Sequence, residues 1–185
     1  MSGSGTSVTH NAKNIENLIG SQGADNFVFA DTAIQNGTID GQGGSDRINF
    51  AAYGARRDFF LNALGNIDGF AGTVEDIVGD FNNIDALTAT SAPNDTLFGY
   101  DANAMWELDG TDRFISTNAL DFTGFEILQG GGGVDMFSVT GSRAYHILRG
   151  GAGDDVVDLD SGASLNFTTL GAVIGYADGQ NGADT

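Results

Sequence analysis

GGGGVDMFSV, Gly130 to Val139, is followed twenty residues on by GGAGDDVVDL, Gly150 to Leu159, and both read Gly-Gly-x-Gly-x-Asp-x-apolar-x. The glycines permit a tight turn, and the apolar residues two and four places after each Asp have the alternation of a strand with one face in a core. The pair therefore reads as turn and strand, written twice.

Working outward with the Asp as origin, related stretches appear at GSQGADNFVF (Asp25), GQGGSDRINF (Asp46), TSAPNDTLFG (Asp95) and GQNGADT (Asp184). Phe27 and Phe29, Ile48 and Phe50, Leu97 and Gly99, Phe137 and Val139, and Val157 and Leu159 hold the two positions after the Asp. Ahead of the turn a second set of apolar residues recurs: Ile15 and Leu18, Phe125 and Leu128, Tyr145 and Leu148, with Ile84 and Leu87 in the Asp95 copy if one residue is inserted. Weaker copies keep Ile39, and Ile174 with Ala177. Each unit is strand, turn, strand, with most gaps near one or two units of twenty residues and no helical 3.6-residue period.

Short strands at that period predict an all-β fold: a right-handed parallel β-solenoid with coils of about 20 residues, each burying its apolar face against the next. Residues 1–13 read as a polar leader or linker, and residues 14–185 as one repeat domain with an outward excursion over about 53–80. RDFFLNA within it is strand-like, and GTVEDIVGD is a helical turn or a loop. The stretch from Asn103 to Ser116 supplies a further coil. Its Trp106 is core or a cover at the coil edge, with a sugar platform as the functional alternative. The chain stops inside a copy of the motif, which is expected of a piece of something longer.

Composition narrows the function. Only seven Lys and Arg face 25 acidic residues, for a formal charge of −18. Phosphate backbones and anionic lipids need cationic partners, so neither nucleic acid nor a membrane surface is expected as a partner. Without Cys there are no disulfides and no thiol chemistry. No apolar run is long enough to span a bilayer as a helix, and the first residues lack a cleavable secretory signal. All but Glu16, Glu75, Glu107 and Glu126 of the acids are the shorter Asp, which suits turns and cation loops.

Stacked coils lie about 4.8 Å apart, so Asp135 and Asp155 are expected to stand one above the other. Their repulsion is about 1 kcal/mol in water and about 3.5 kcal/mol at an effective dielectric of about 20, and something must offset it. A calcium ion, which takes six to eight hard oxygens, fits a turn whose glycines expose backbone carbonyls beside an Asp. Gly130, Gly132 and Asp135 with Gly150, Ala152 and Asp155 form the leading metal candidate, and Asp25 with Asp46 the second. The bland alternative is that each Asp caps its own turn by accepting backbone N–H groups.

The two opening copies match the Gly-Gly-x-Gly-x-Asp-x-apolar-x nonapeptide of the RTX (repeats-in-toxin) secreted bacterial proteins, a motif associated with calcium. That resemblance implies a parallel β-roll, calcium in the turns, folding outside the cell, and export through a C-terminal signal. Tandem RTX repeats recur every nine residues, whereas here one copy appears per twenty or more, so at most one side could carry metal. Ser21, Gln42 and Gln180 replace the second Gly in three copies, and the Asp95 copy has no Gly before its Asp. From Phe81 to Val139 the chain also resembles the degenerate repeats of very large bacterial surface proteins and haemagglutinin-like adhesins.

Asp154, Asp158 and Asp160 read as a solvated strand face. His10 and His146 offer no metal site or catalytic triad. The expected function is a non-enzymatic stalk, adhesin or self-assembling fibre segment of a secreted bacterial surface protein, with calcium-assisted folding. End-to-end self-association, or a cell-surface or polysaccharide partner, goes with it. The alternative is a polysaccharide-acting module, lyase- or epimerase-like, or its carbohydrate-binding accessory, with Arg56 and Arg57 beside Asp58 as the basic cluster. An ice-binding face would need Thr-x-Thr ranks, and Thr88 to Thr90 is a lone instance.

Overall fold

A computed structural model of the chain describes residues 7–10, 16–167 and 176–181, with side chains described from 16 to 164. Asp184 itself, Ile15, Ile174 and most of the stretch read as a leader lie outside them. Among the described residues the chain forms strands and no helix. The first ten strands are β1 (Ser7–His10), β2 (Asn17–Ile19), β3 (Asn26–Ala30), β4 (Gln35–Asp40), β5 (Arg47–Ala52), β6 (Asp58–Leu64), β7 (Phe70–Val74), β8 (Val78–Ile84), β9 (Ala86–Thr88) and β10 (Thr96–Phe98). The second ten are β11 (Ala104–Leu108), β12 (Arg113–Ile115), β13 (Ala119–Thr123), β14 (Ile127–Gln129), β15 (Asp135–Val139), β16 (Ser142–Tyr145), β17 (Ile147–Ala152), β18 (Val156–Leu159), β19 (Ser164–Phe167) and β20 (Tyr176–Asn181).

Two nine-stranded mixed sheets carry the fold, in the orders β1-β3-β5-β9-β13-β12-β11-β15-β18 and β2-β4-β8-β7-β6-β10-β14-β17-β20, with β16 and β19 as a small third sheet. Each large sheet is parallel toward both ends and antiparallel in the middle. In the first, β11, β12 and β13 form a meander. In the second, β6, β7 and β8 do the same.

This corrects the expectation of one right-handed parallel solenoid with a single outward loop. Pairing about twenty residues apart is real where Phe27 lies beside Ile48, Leu18 beside Ile39, Leu128 beside Leu148 and Phe137 beside Val157. Between those regions the chain doubles back within the sheet plane. The stretch from 53 to 80 is no excursion: Tyr53, Phe59, Leu61, Phe70, Val74, Ile77 and Val78 all enter the core. Nor is the stretch from Asn103 to Ser116 a coil, because β11 and β12 form a hairpin. Alternation marks which face of a strand is buried and says nothing of its direction, so an inserted meander preserves the apolar pattern while breaking the parallel stack.

The core lies between the inner faces of the two sheets. Phe50 of β5 meets Phe59 of β6 edge to face at 5.4 Å, and Phe70 of β7 meets Phe114 of β12 at 5.5 Å. Phe29 stacks on Phe50 at 4.4 Å and Trp106 on Phe137 at 5.4 Å, so aromatic pairs also tie neighbouring strands within a sheet. Burying each such ring is worth about 2–3 kcal/mol. At the far end the alternation frays: Val157 is half-buried and Leu159, expected inside, is 49% exposed.

Candidate functional site: a buried carboxylate ladder

The turn acids are inside the protein. Asp25, Asp46, Asp95, Asp135 and Asp155 are all between 0% and 3% exposed. Each stands at the junction between a turn and the strand that follows, where its carboxylate meets N–H groups of a neighbouring rung, of its own turn, or of both.

One oxygen receives a backbone N–H from a neighbouring rung. The Asp25 N–H donates to Asp46 Oδ1 at 2.8 Å, the Asp46 N–H to Asp85 Oδ2 at 2.9 Å, and the Asp135 N–H to Asp155 Oδ1 at 2.9 Å. In the second sheet the Arg57 N–H donates to Asp95 Oδ1 at 2.6 Å, and the Asp95 N–H to Glu126 Oε2 at 3.1 Å. The other oxygen clamps the acid's own turn, with Ser21 N–H on Asp25 Oδ2 at 2.5 Å and Gly131 N–H on Asp135 Oδ2 at 3.0 Å. In the glycine-free copy Thr90 performs the same clamp on Asp95 Oδ2 with both its N–H and its hydroxyl.

The first Gly of the motif follows from this geometry. A β-carbon on Gly20, Gly41, Gly130 or Gly150 would collide with Oδ2 of Asp25, Asp46, Asp135 or Asp155 respectively. The carboxylate folds back over its turn and leaves no room for a side chain there. Gly132, by contrast, is exposed within its turn, and Ala152 is exposed at the end of β17.

Three ladder members escaped the motif. Asp85 has no Gly in the five places before it and Glu126 has only Gly124, yet each is an acid immediately before a strand with Leu two places on, Leu87 and Leu128, which was the available signal. Trp106 is wholly buried, and its indole N–H donates to Asp135 Oδ1 at 2.9 Å. An aromatic residue in a strand gives no sign in sequence of what its N–H will meet.

Burial pushes the carboxyls of Asp46 and Asp135 up to about 6, partly opposed by the N–H donors they accept, and neighbouring acids add to the rise. Asp85, Asp95 and Glu126 are also raised, in each case chiefly by burial.

The calcium implied by the resemblance needs six to eight converging oxygens. At Asp135 both oxygens already hold N–H donors, which is the surrounding of an anion, so the folded turn does not fit the ion as it stands. Among the described residues no three or more His, Asp or Glu side chains gather where they could hold a metal. Asp154, Asp158 and Asp160 are exposed.

The basic pair is tied into the scaffold. Arg56 pairs with Asp58 at 2.5 Å and donates from Nε to the Asn94 carbonyl, while the Arg57 guanidinium sits 5.3 Å from the Tyr53 ring centre. His146 Nδ1 lies 2.7 Å from Asn94 Oδ1 in the same region. Among the described residues no helix is long and apolar enough to cross a membrane. No family model, curated protein or solved structure matches the chain.

Proposed function

We propose that this chain is a non-catalytic structural segment of a secreted bacterial surface protein, serving as a stalk or fibre element. The observation that supports it is the carboxylate ladder: the acids that composition and motif single out are buried and engaged with N–H groups of neighbouring rungs or of their own turns. A carboxylate so engaged holds strands in register and is withdrawn from acid–base work on a substrate. Arg56 and Arg57, on which the polysaccharide-acting alternative depends, are likewise engaged within the scaffold.

No step of this proposal runs through calcium. Melting followed by β-sheet circular dichroism in a chelator and in millimolar calcium tests it, and the two curves are expected to coincide. A large calcium-dependent rise would show that the turns rearrange around the ion, and would overturn the metal-free form of the proposal.

A carbohydrate-contacting role has one observation in its favour. Phe60 and Phe98 stack at 4.5 Å on the outer side of the second sheet, half-exposed, and line a groove of about 520 Å³ with Asn62, Asp101 and Gln129. Aromatic surface beside amide and carboxylate groups is suited to neutral sugar rings. Retention on insoluble neutral glycans, lost in Phe98→Ala with the fold intact, is the result this reading requires.

A further inference from the structure

The Asp46 turn is built differently from the clamped turns of Asp25, Asp95 and Asp135. At the Asp46 turn, Gln42 has a φ of +74° and sends its N–H to Asp40 Oδ1 at 3.0 Å, so the donor that would clamp Asp46 Oδ2 points elsewhere. Among the described residues no donor reaches Asp46 Oδ2, although Asp46 is wholly buried. The loop joining β6 to β7 lies against this same turn and brings a second acid: Asp68 Oδ2 accepts the Gly44 N–H at 3.2 Å, while Asp68 Oδ1 is buried with no donor among the described residues. Two buried carboxylate oxygens at one turn thus hold lone pairs with no hydrogen between them and their neighbours.

Asp46 Oδ1 accepts the Asp25 N–H, and the charged groups that bear on Asp46 are all acids. Asp25 comes from the preceding turn, Asp85 from the residue after β8 and Asp68 from the loop, and all three charges bear on it. Asp40, at the end of β4, is linked to the site through Gln42 and through Asn83 Nδ2 at 2.7 Å. Arg47, the next residue, is exposed. A β-carbon on Gly41 would meet both the Asn83 carbonyl oxygen and Asp46 Oδ2, so the two oxygens face the same small space. Asn83 also holds the loop, since the Ile67 N–H donates to its Oδ1 at 2.8 Å, and the Asn66 N–H donates to Asn82 Oδ1 at 3.1 Å.

We infer that the Asp46 turn and the loop from Gly65 to Gly69 form an acid-closed latch. A proton bound at Asp46 Oδ2 supplies the missing donor and removes one of two opposed charges, locking the turn to Asn83 and the Asp68 loop to Gly44. Loss of that proton leaves Asp46 and Asp68 both charged and loosens the loop, while the rest of the sheet stays paired. Burial and the three facing acids put the Asp46 carboxyl near 6, so the latch works between mildly acidic and neutral pH.

Amide hydrogen exchange read by mass spectrometry, in a chelator and corrected for the intrinsic effect of pH, tests the inference on the whole chain. Protection of residues 65–69 is expected to fall by about tenfold or more from pH 5 to pH 8, the change carried by at least one unit of pKa shift. Asp46→Asn carries an N–H donor in place of the proton, so its loop should stay protected at both pH values. Wild-type protection that is flat with pH, or a variant that keeps the wild-type pH step, overturns the latch. Should Asp46→Asn fail to fold, Asp68→Asn gives a second reading: it removes one raising charge, so the midpoint must move to lower pH, and an unmoved midpoint overturns the inference equally.

Discussion

Asp135 keeps a carboxylate in the protein interior with N–H donors on both oxygens, and the cost of that burial can be read through pH. Its folded pKa and that of Asp46 are raised to about 6, above the ordinary value of 3.8. A raised carboxyl contributes stability that is fully present below the unfolded pKa and is lost as pH rises through the folded one. Melting temperature is therefore expected to be higher at pH 5 than at pH 7.5, and equal values would contradict the burial. Trp106→Phe keeps an aromatic ring at the position, though a smaller one, and removes the indole donor, leaving Asp135 Oδ1 short of a partner. Denaturant titration should show a loss of about 1–3 kcal/mol at neutral pH. Because that donor lowers the Asp135 pKa, the pH dependence of the variant should extend to higher pH. The repulsion expected between stacked Asp135 and Asp155 is met by a hydrogen bond from the backbone of one to the side chain of the other.

Strands were legible because burial leaves its mark residue by residue. Phe27, Phe29, Ile48, Phe50, Leu97, Phe137 and Val139, placed inside from their spacing after an Asp, are all buried. Direction was not legible. Phe70 and Val74 of β7 alternate as they would in a parallel strand, and their antiparallel pairing with β6 and β8 is set by contacts distant from them in the chain. The ladder was half legible: the Gly-Asp turns stood out, while Asp85, Glu126 and the Trp106 N–H depend on which strands become neighbours. The motif glycines allow a direct check at this scale. Gly130→Ala should destabilise by about 2 kcal/mol or more, since its β-carbon would strike Asp135 and the Gly150 backbone. Gly54→Ala, where a β-carbon meets only ordinary contacts, should lie within about 0.5 kcal/mol of the parent. Similar losses at both sites would remove the steric account of the motif.

For the molecule as a whole, a charge of −18 is spread over a fold whose described turn acids are partly withdrawn from solvent. Exposed Asp residues such as Asp154, Asp158 and Asp160 repel one another across the surface, and salt screens that repulsion over about 10 Å at 0.1 M. Raising sodium chloride from 20 mM to 0.5 M should raise the melting temperature, as scanning calorimetry would show; a fall would mean that attractive pairs dominate the surface.

In both large sheets the backbone hydrogen bonds run along the direction in which strands are added, and the ladder runs beside them. Tension applied along that direction loads the rungs in series, so they share one force and the weakest opens first. β10, three residues long, is among the short rungs, and it joins the meander of the second sheet to the parallel strands beyond it. A stalk of this design would lengthen by discrete steps under a pull and shed load while its remaining rungs stay closed.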